Sequence, residues 1–455
     1  MKDHKDMCYK KLLQTIKYGN GLDGDNEQER KRFPIILALW VIFFLQCGIM
    51  KSIGVLLPVL LEQFATHTRT IGVVVSFSLF AGNATGILAP SLAKIFAARS
   101  IVLACGVLST IGLLISAMTP NIPIFVIGMF FTGLTCMGET LAIGMLSSYF
   151  IKYYSAAANI ITTATPLSIM CFAPLTQLFI DIYGWRGTMI LLAGLNFHYV
   201  AAAAMLRPIR QVRTVHHESR PTYQSLKERD ADVEKDESIV KSESGDEKST
   251  SDITKECLTG VFNISLLKNG SFIVVLIVST IIGYGFNGWV VYLVSFAQSK
   301  GLSPYDAATV ATISGVGSFL IRFAMAFLQG KTSYRLLFYF GSILYVLSYA
   351  GLYFATTFVG VSFVSLILGF GYGILGTQIY IAANVTVGKD EVVSAVAWIH
   401  MLHGIGYLAN GYITGWLHDM TGSFNLSMIE LSAVSSLMVV ILASEDIWNK
   451  LHGDN

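Results

Sequence analysis

The chain has 455 residues, 53% hydrophobic and only 13% charged, with a net charge of +2 and a mean hydropathy of +0.60. Soluble proteins carry about 25% charged residues, so this chain has too few to cover a water-facing surface of its size. The small net charge leaves nucleic acid no electrostatic footprint, and the six cysteines form no C-x-x-C pair, which argues against a zinc site or a disulfide frame.

In chain order, residues 1–32 are polar and end in Arg30-Lys31-Arg32. The apolar run behind them is too long for the core of a cleavable signal peptide, so it reads as a first transmembrane helix behind a cytosolic tail. A helical span needs about 20 predominantly apolar residues. Twelve runs meet that need, at 34–61, 71–93, 100–118, 122–148, 153–179, 187–206, 271–296, 306–328, 334–354, 358–385, 392–416 and 426–444. Between the sixth and the seventh the chain turns polar, as in Glu228-Arg229-Asp230, with too little apolar surface to fold alone. The expected organisation is therefore a tail (1–32), a six-helix half (33–208), a disordered linker (209–266), a second six-helix half (267–445) and a second tail (446–455). Of the basic residues, only Arg69, Arg186 and Lys300 fall in loops on the side opposite the termini. The positive-inside rule then puts both termini in the cytosol. Two six-helix halves joined by a long linker are the layout of an all-α membrane protein with the major facilitator fold, whose halves rock about a central site.

Charges inside spans mark candidate function, because each costs about 2.5–3.5 kcal/mol at a helix centre on insertion scales. Lys51 lies about 26 Å along the first span and Arg322 about 24 Å along the eighth, which runs the other way. The two cations therefore bracket the midplane, one from each half, as a path for an anion requires. Each can instead snorkel to an interface or pair structurally. Arg322 has a planar fork able to grip a carboxylate through two parallel hydrogen bonds. Glu139 is an intramembrane carboxyl in the fourth span, read either as a proton carrier or as a hydrogen-bonding partner of a neighbouring helix. His400 and His403 can titrate near neutral pH or be satisfied by a neighbouring helix. Asn83, Asn287 and Tyr372 are further polar groups within spans, able to line a cavity.

Two G-x-G-x-x-G matches, at 283–288 and 371–376, follow no strand and are not nucleotide loops. No Walker A, G-x-S-x-G or H-E-x-x-H sequence occurs, so neither an enzyme nor a cofactor or metal site is expected. The sequons at Asn263 and Asn269 fall on the cytosolic side of this topology and are expected to stay unmodified.

Several segments resemble the monocarboxylate transporters, the solute carrier 16 family. They are Lys51-Ser52-Ile53-Gly54-Val55, Tyr149-Phe150-Ile151-Lys152-Tyr153-Tyr154, Tyr183-Gly184-Trp185-Arg186-Gly187 and Thr414-Gly415-Trp416-Leu417-His418-Asp419-Met420-Thr421-Gly422. The resemblance covers both halves and implies carriage of small monocarboxylates such as lactate or pyruvate, often with a proton, at the plasma membrane. It implies that Lys51 couples substrate to proton movement, that Arg322 binds the carboxylate and that Tyr372 sets selectivity. It also brings a single-span immunoglobulin-like glycoprotein as an expected partner, besides membrane lipid. The chain departs from the family at Ser318, where proton-coupled members have aspartate, and at Ile36-Leu37-Ala38-Leu39-Trp40 and Asn410-Gly411. These departures leave open a proton-independent uniporter of a larger or zwitterionic carboxylate, and a non-transporting sensor or scaffold.

Overall fold

A computed structural model describes residues 33–119, 121–149, 157, 160–206, 263–328, 332–388 and 391–452. The N-terminal tail, the linker up to residue 262 and residues 150–154 of the fifth-span motif lie outside them.

Lipid offers no partner to a backbone amide, so a chain that crosses it closes its hydrogen bonds within each helix. The described residues obey this almost throughout. Span 1 is Phe33–Phe64, span 2 is Thr68–Gly86 continued by Ala89–Ile95, span 3 is Ala98–Met118, and span 4 is Ile122–Gly133 continued by Thr135–Tyr149. Spans 5 and 6 share one helical segment, Ala164–Met205, broken at Gly184. Span 7 is Gly270–Asn287, a π-helical turn Gly288–Tyr292, and Leu293–Ser299. Spans 8 to 12 are Pro304–Leu328, Tyr334–Phe354, Phe358–Val387, Val392–Thr421 and Asn425–His452. By length and composition, nine of the described helical segments can cross a membrane, one of them being spans 5 and 6 together. Spans 2 and 11 complete the twelve expected runs.

The segment Tyr183–Gly187 now has a physical reason. Gly184 has φ +66° and ψ 177°, the reversal between two antiparallel spans, and an L side chain rarely adopts that φ. Trp185 anchors the turn by donating from Nε1 to Gln63 Oε1 at 3.1 Å, and the Arg186 guanidinium lies 4.4 Å from its ring. Span 12 runs past the expected end at 444, into residues 446–452 of the stretch expected as a tail. Its polar end is held by Arg335 of span 9, which pairs with Glu445 at 3.1 Å and with Asp446. Asn269 is the N-cap of span 7 and accepts from Phe272 N at 3.3 Å.

Within each half, glycines let helices cross at backbone contact. A Cβ on Gly82 would fall 1.9 Å from the Gly133 carbonyl, between spans 2 and 4. A Cβ on Gly369 would fall 1.9 Å from the Ser314 carbonyl, between spans 10 and 8. The two halves meet along spans 2 and 11 and along spans 5 and 8, with span 1 reaching span 7.

Candidate functional site

On the side opposite the termini, here the outer side, the halves are in contact. Asp419 at the end of span 11 accepts from the first amides of span 2, Thr68 N at 2.8 Å and Arg69 N at 3.0 Å. Free amides at a helix start carry partial positive charge, which a carboxylate satisfies. Thr68 Oγ1 also lies 2.9 Å from His418 Nδ1. Deeper in, Asn287 Nδ2 donates to Ser76 Oγ of span 2 and to Asn410 Oδ1 of span 11, both at 2.9 Å. Thr312 Oγ1 of span 8 donates to the Met170 carbonyl of span 5 at 3.3 Å.

Lys51 belongs to this closed layer. Its side chain is wholly buried, and Nζ donates to the carbonyls of Val290 at 2.9 Å and Trp289 at 3.4 Å. Both carbonyls lie in the π-helical turn of span 7. Gly54, one turn above Lys51, approaches so closely that a Cβ there would fall 2.4 Å from the Val290 carbonyl.

Beneath this layer, towards the termini, lies a cavity of about 90 Å³ walled by both halves. Span 1 contributes Phe43, Gln46, Cys47 and Met50, one face of the helix at i, i+3, i+4 and i+7. Asn83 and Glu139 come from spans 2 and 4, and Arg322, Tyr372 and His403 from spans 8, 10 and 11. Four of the expected site residues (Arg322, Glu139, Asn83 and Tyr372) thus meet in one space. Lys51 and Asn287 are not among its lining residues; Lys51 Nζ reaches the span 7 carbonyls of the other half, and Asn287 Nδ2 reaches Ser76 of the other half.

Arg322 donates from Nη1 to the Thr162 carbonyl at 3.1 Å, across the interface, and its guanidinium carbon is 5.9 Å from the Tyr372 ring. Its Nε is buried without a partner, and no carboxylate pairs with it among the described residues. Tyr372 stacks on Phe286 with centroids 4.6 Å apart and lies 4.9 Å from Trp289, so the wall beside Arg322 is aromatic. Asn83 spends its amide on its own helix, Nδ2 to the Leu79 carbonyl at 2.7 Å.

His400 has both ring nitrogens engaged, Nδ1 with Thr140 Oγ1 and Nε2 with Tyr380 OH, each at 2.9 Å, so it fastens span 11 to spans 4 and 10. His403 stacks on Tyr407, and its Nε2 is buried without a partner. Ser318 packs against span 10, with Gly369 and Gly373 close on its backbone. It does not line the cavity.

Sequence reasoning passed over Gln46 and Glu430. Gln46 stands one turn below Met50 on the cavity face of span 1 and donates from Nε2 to Cys136 Sγ at 3.1 Å. The signal was there, a polar residue in register with a face of an otherwise apolar run. Glu430 sits near the start of its span, where the sequence gives no sign of its neighbours; in the structure it accepts a hydrogen bond from Tyr284 of span 7.

A model of the Major Facilitator Superfamily matches residues 39–411. The chain belongs to that superfamily. It is similar to monocarboxylate transporter 11 of Mus musculus, 27% identical over 88% of this chain and 84% of the relative. It is 30% identical to monocarboxylate transporter 12 of Mus musculus over 63% of this chain and 59% of that protein. With monocarboxylate transporter 1 of Mus musculus the identity is 24%, over 82% and 76%. Within the superfamily this is therefore a divergent, monocarboxylate-transporter-like member, a multi-pass membrane protein of a transporter family. Its fold is also that of the nucleoside transporter NupG, with a TM-score of 0.65 at 14% identity over 90% of this chain and 99% of the other. A POT family transporter in complex with a thioalcohol-conjugated peptide gives a TM-score of 0.67 at 14% identity over 91% and 96%.

Proposed function

We propose that this protein carries small monocarboxylates, lactate- or pyruvate-like, by alternating access, and that Arg322 grips the substrate carboxylate. The observation that carries the proposal is the state of Arg322. It is a cation on the wall of a cavity between the halves, with one bond to a backbone carbonyl, a partnerless buried Nε and no described carboxylate beside it. A permanent cation in that setting offers an incoming carboxylate two parallel hydrogen bonds and offsets its loss of hydration. The names of the relatives support the substrate class. In this reading Lys51 leaves the span 7 carbonyls when the outer side opens and draws the anion inward. Glu139, on the same cavity, is the candidate proton carrier. The reading includes a plasma-membrane location with cytosolic termini, and an immunoglobulin-like glycoprotein as ancillary partner.

A second reading rests on Glu139 itself. A carboxylate and a guanidinium line one cavity, so a zwitterion can place its carboxylate on Arg322 and its ammonium near Glu139. An amino acid or creatine-like compound carried without a proton fits that pairing.

The test is uptake of labelled lactate, pyruvate and zwitterionic carboxylates into proteoliposomes, with and without an inward proton gradient. Arg322→Ala is expected to abolish uptake while leaving the amount of folded protein unchanged, and Arg322→Lys to restore it only in part. Uptake that persists in Arg322→Ala removes Arg322 from the site. Gradient-independent uptake of a zwitterion, with none of lactate, selects the second reading.

A further inference from the structure

We infer that Glu430 is a proton-binding site outside the substrate cavity, linked through Tyr284, Asn410 and Asn287 to the contact between the two halves. This goes beyond the transport reading, which places its ionisable groups on the cavity wall.

Glu430 lies within span 12, beside Leu431, whose side chain packs so closely on Gly288 of span 7 that a Cβ there would fall 2.8 Å from it. The carboxyl therefore stands at the level of the π-helical turn, inside the membrane. Oε1 accepts from the Tyr284 hydroxyl, and Oε2 is buried with no partner. The groups facing it can be named element by element. Span 7 presents Tyr284, span 9 presents Tyr349, whose hydroxyl is committed to the Gly285 carbonyl, and span 11 presents the uncharged Asn410 to Tyr284. No lysine, arginine or histidine pairs with Glu430 among the described residues. A carboxylate held in lipid without a cation is costly. One buried oxygen of this one is left without a donor, and a proton is the smallest ligand that fills that position.

The consequence travels through a chain of adjoining polar groups. A proton from the outer aqueous phase adds to Oε2, forming one O–H bond and cancelling the negative charge. The bond from Tyr284 then ends on a neutral acid and loses the strength that an ionised acceptor gives it. Asn410 borders the same hydroxyl, and its Oδ1 holds Asn287 at 2.9 Å. Asn287 in turn donates to Ser76 of the other half at 2.9 Å. Four spans are joined in this chain, and its last link is a contact that must break when the outer side opens. Protonation of Glu430 thus shifts the balance between closed and open outer states.

Hydrogen–deuterium exchange of the full-length protein in lipid, without substrate, tests this whether or not the carboxylate reading holds. Exchange at the outer segments around Thr68 and Asp419 is compared between wild type and Glu430→Gln at matched pH, from mildly acidic to mildly alkaline. Glutamine keeps an oxygen for Tyr284 and cannot titrate. The expected result is that wild type and variant agree at acid pH and diverge several-fold as pH rises, whereas His418→Asn keeps the wild-type divergence from Glu430→Gln. Tyr284→Phe is expected to flatten the profile while leaving the carboxyl in place, which covers the case of a poorly folded glutamine variant. A Glu430→Gln profile that follows wild type at every pH overturns the proposal, as does a Tyr284→Phe profile that keeps the wild-type dependence.

Discussion

The contact of Asp419 with the start of span 2 joins the two halves on the outer side, so under the proposed alternating access weakening it should open that side. Each carboxylate oxygen of Asp419 holds one amide, Thr68 at 2.8 Å and Arg69 at 3.0 Å. Asparagine keeps a single oxygen, so Asp419→Asn loses one of the two bonds and the charge that complements the helix start. The ion pair with Arg69 adds little, because its Nε is 4.0 Å away and its side chain is 45% exposed. A charge at a helix terminus is worth about 0.3–1 kcal/mol when exposed and up to about 2 when partly buried. Asp419 is 15% exposed, nearer the second case. One or two kcal/mol is a factor of about 5–30 in a two-state ratio. The assay is the rate at which a membrane-impermeant maleimide, added from the outer side, reaches Ser295→Cys. Ser295 is buried in the outer part of span 7, and its hydroxyl has no partner, so a thiol replaces it with little strain. Labelling in Asp419→Asn should rise by about the same factor of 5–30. An unchanged rate would refute the argument that this cap holds the outer side shut.

Two glycine substitutions separate the contact between halves from packing within one half. Gly54→Ala places a methyl 2.4 Å from the Val290 carbonyl and should oppose outer closure by about 1–3 kcal/mol, raising outer labelling while slowing uptake. A variant that closes and transports normally would show that spans 1 and 7 do not need this approach. Gly369→Ala places a methyl 1.9 Å from the Ser314 carbonyl, inside the C-terminal half, and should destabilise the fold by about 1–3 kcal/mol or more. A lowered thermal midpoint in detergent, without a matching change in outer labelling of the folded fraction, checks it.

The number of spans, their order and the positions of Lys51 and Arg322 along them were readable from residue types alone. Lipid acts on each helix separately, so hydropathy summed along one stretch of chain carries the whole signal. Arg322 was placed in the half nearer the termini by counting residues, and the structure puts it on a cavity at that depth. What counting residues cannot give is rotation about a helix axis and the identity of the neighbour. Lys51 and Cys47 are one turn apart on the same span, yet Cys47 lines the cavity and Lys51 ends on a carbonyl 239 residues away in the chain. Asn287 looked like a cavity residue until its amide was found holding Ser76 of the other half. The irregular turn at Gly288–Tyr292 has no signature in the sequence, and it carries the carbonyls that receive Lys51. Glu430 lies six residues into its span and drew no reading from the sequence; only the packing of spans 7 and 12 buries one of its oxygens and joins the other to Tyr284. The sequence by itself decided that this chain crosses the membrane and where its charges sit along each helix. The tertiary structure decided which of them share a cavity and which fasten one half to the other, because those contacts join residues that only folding brings together.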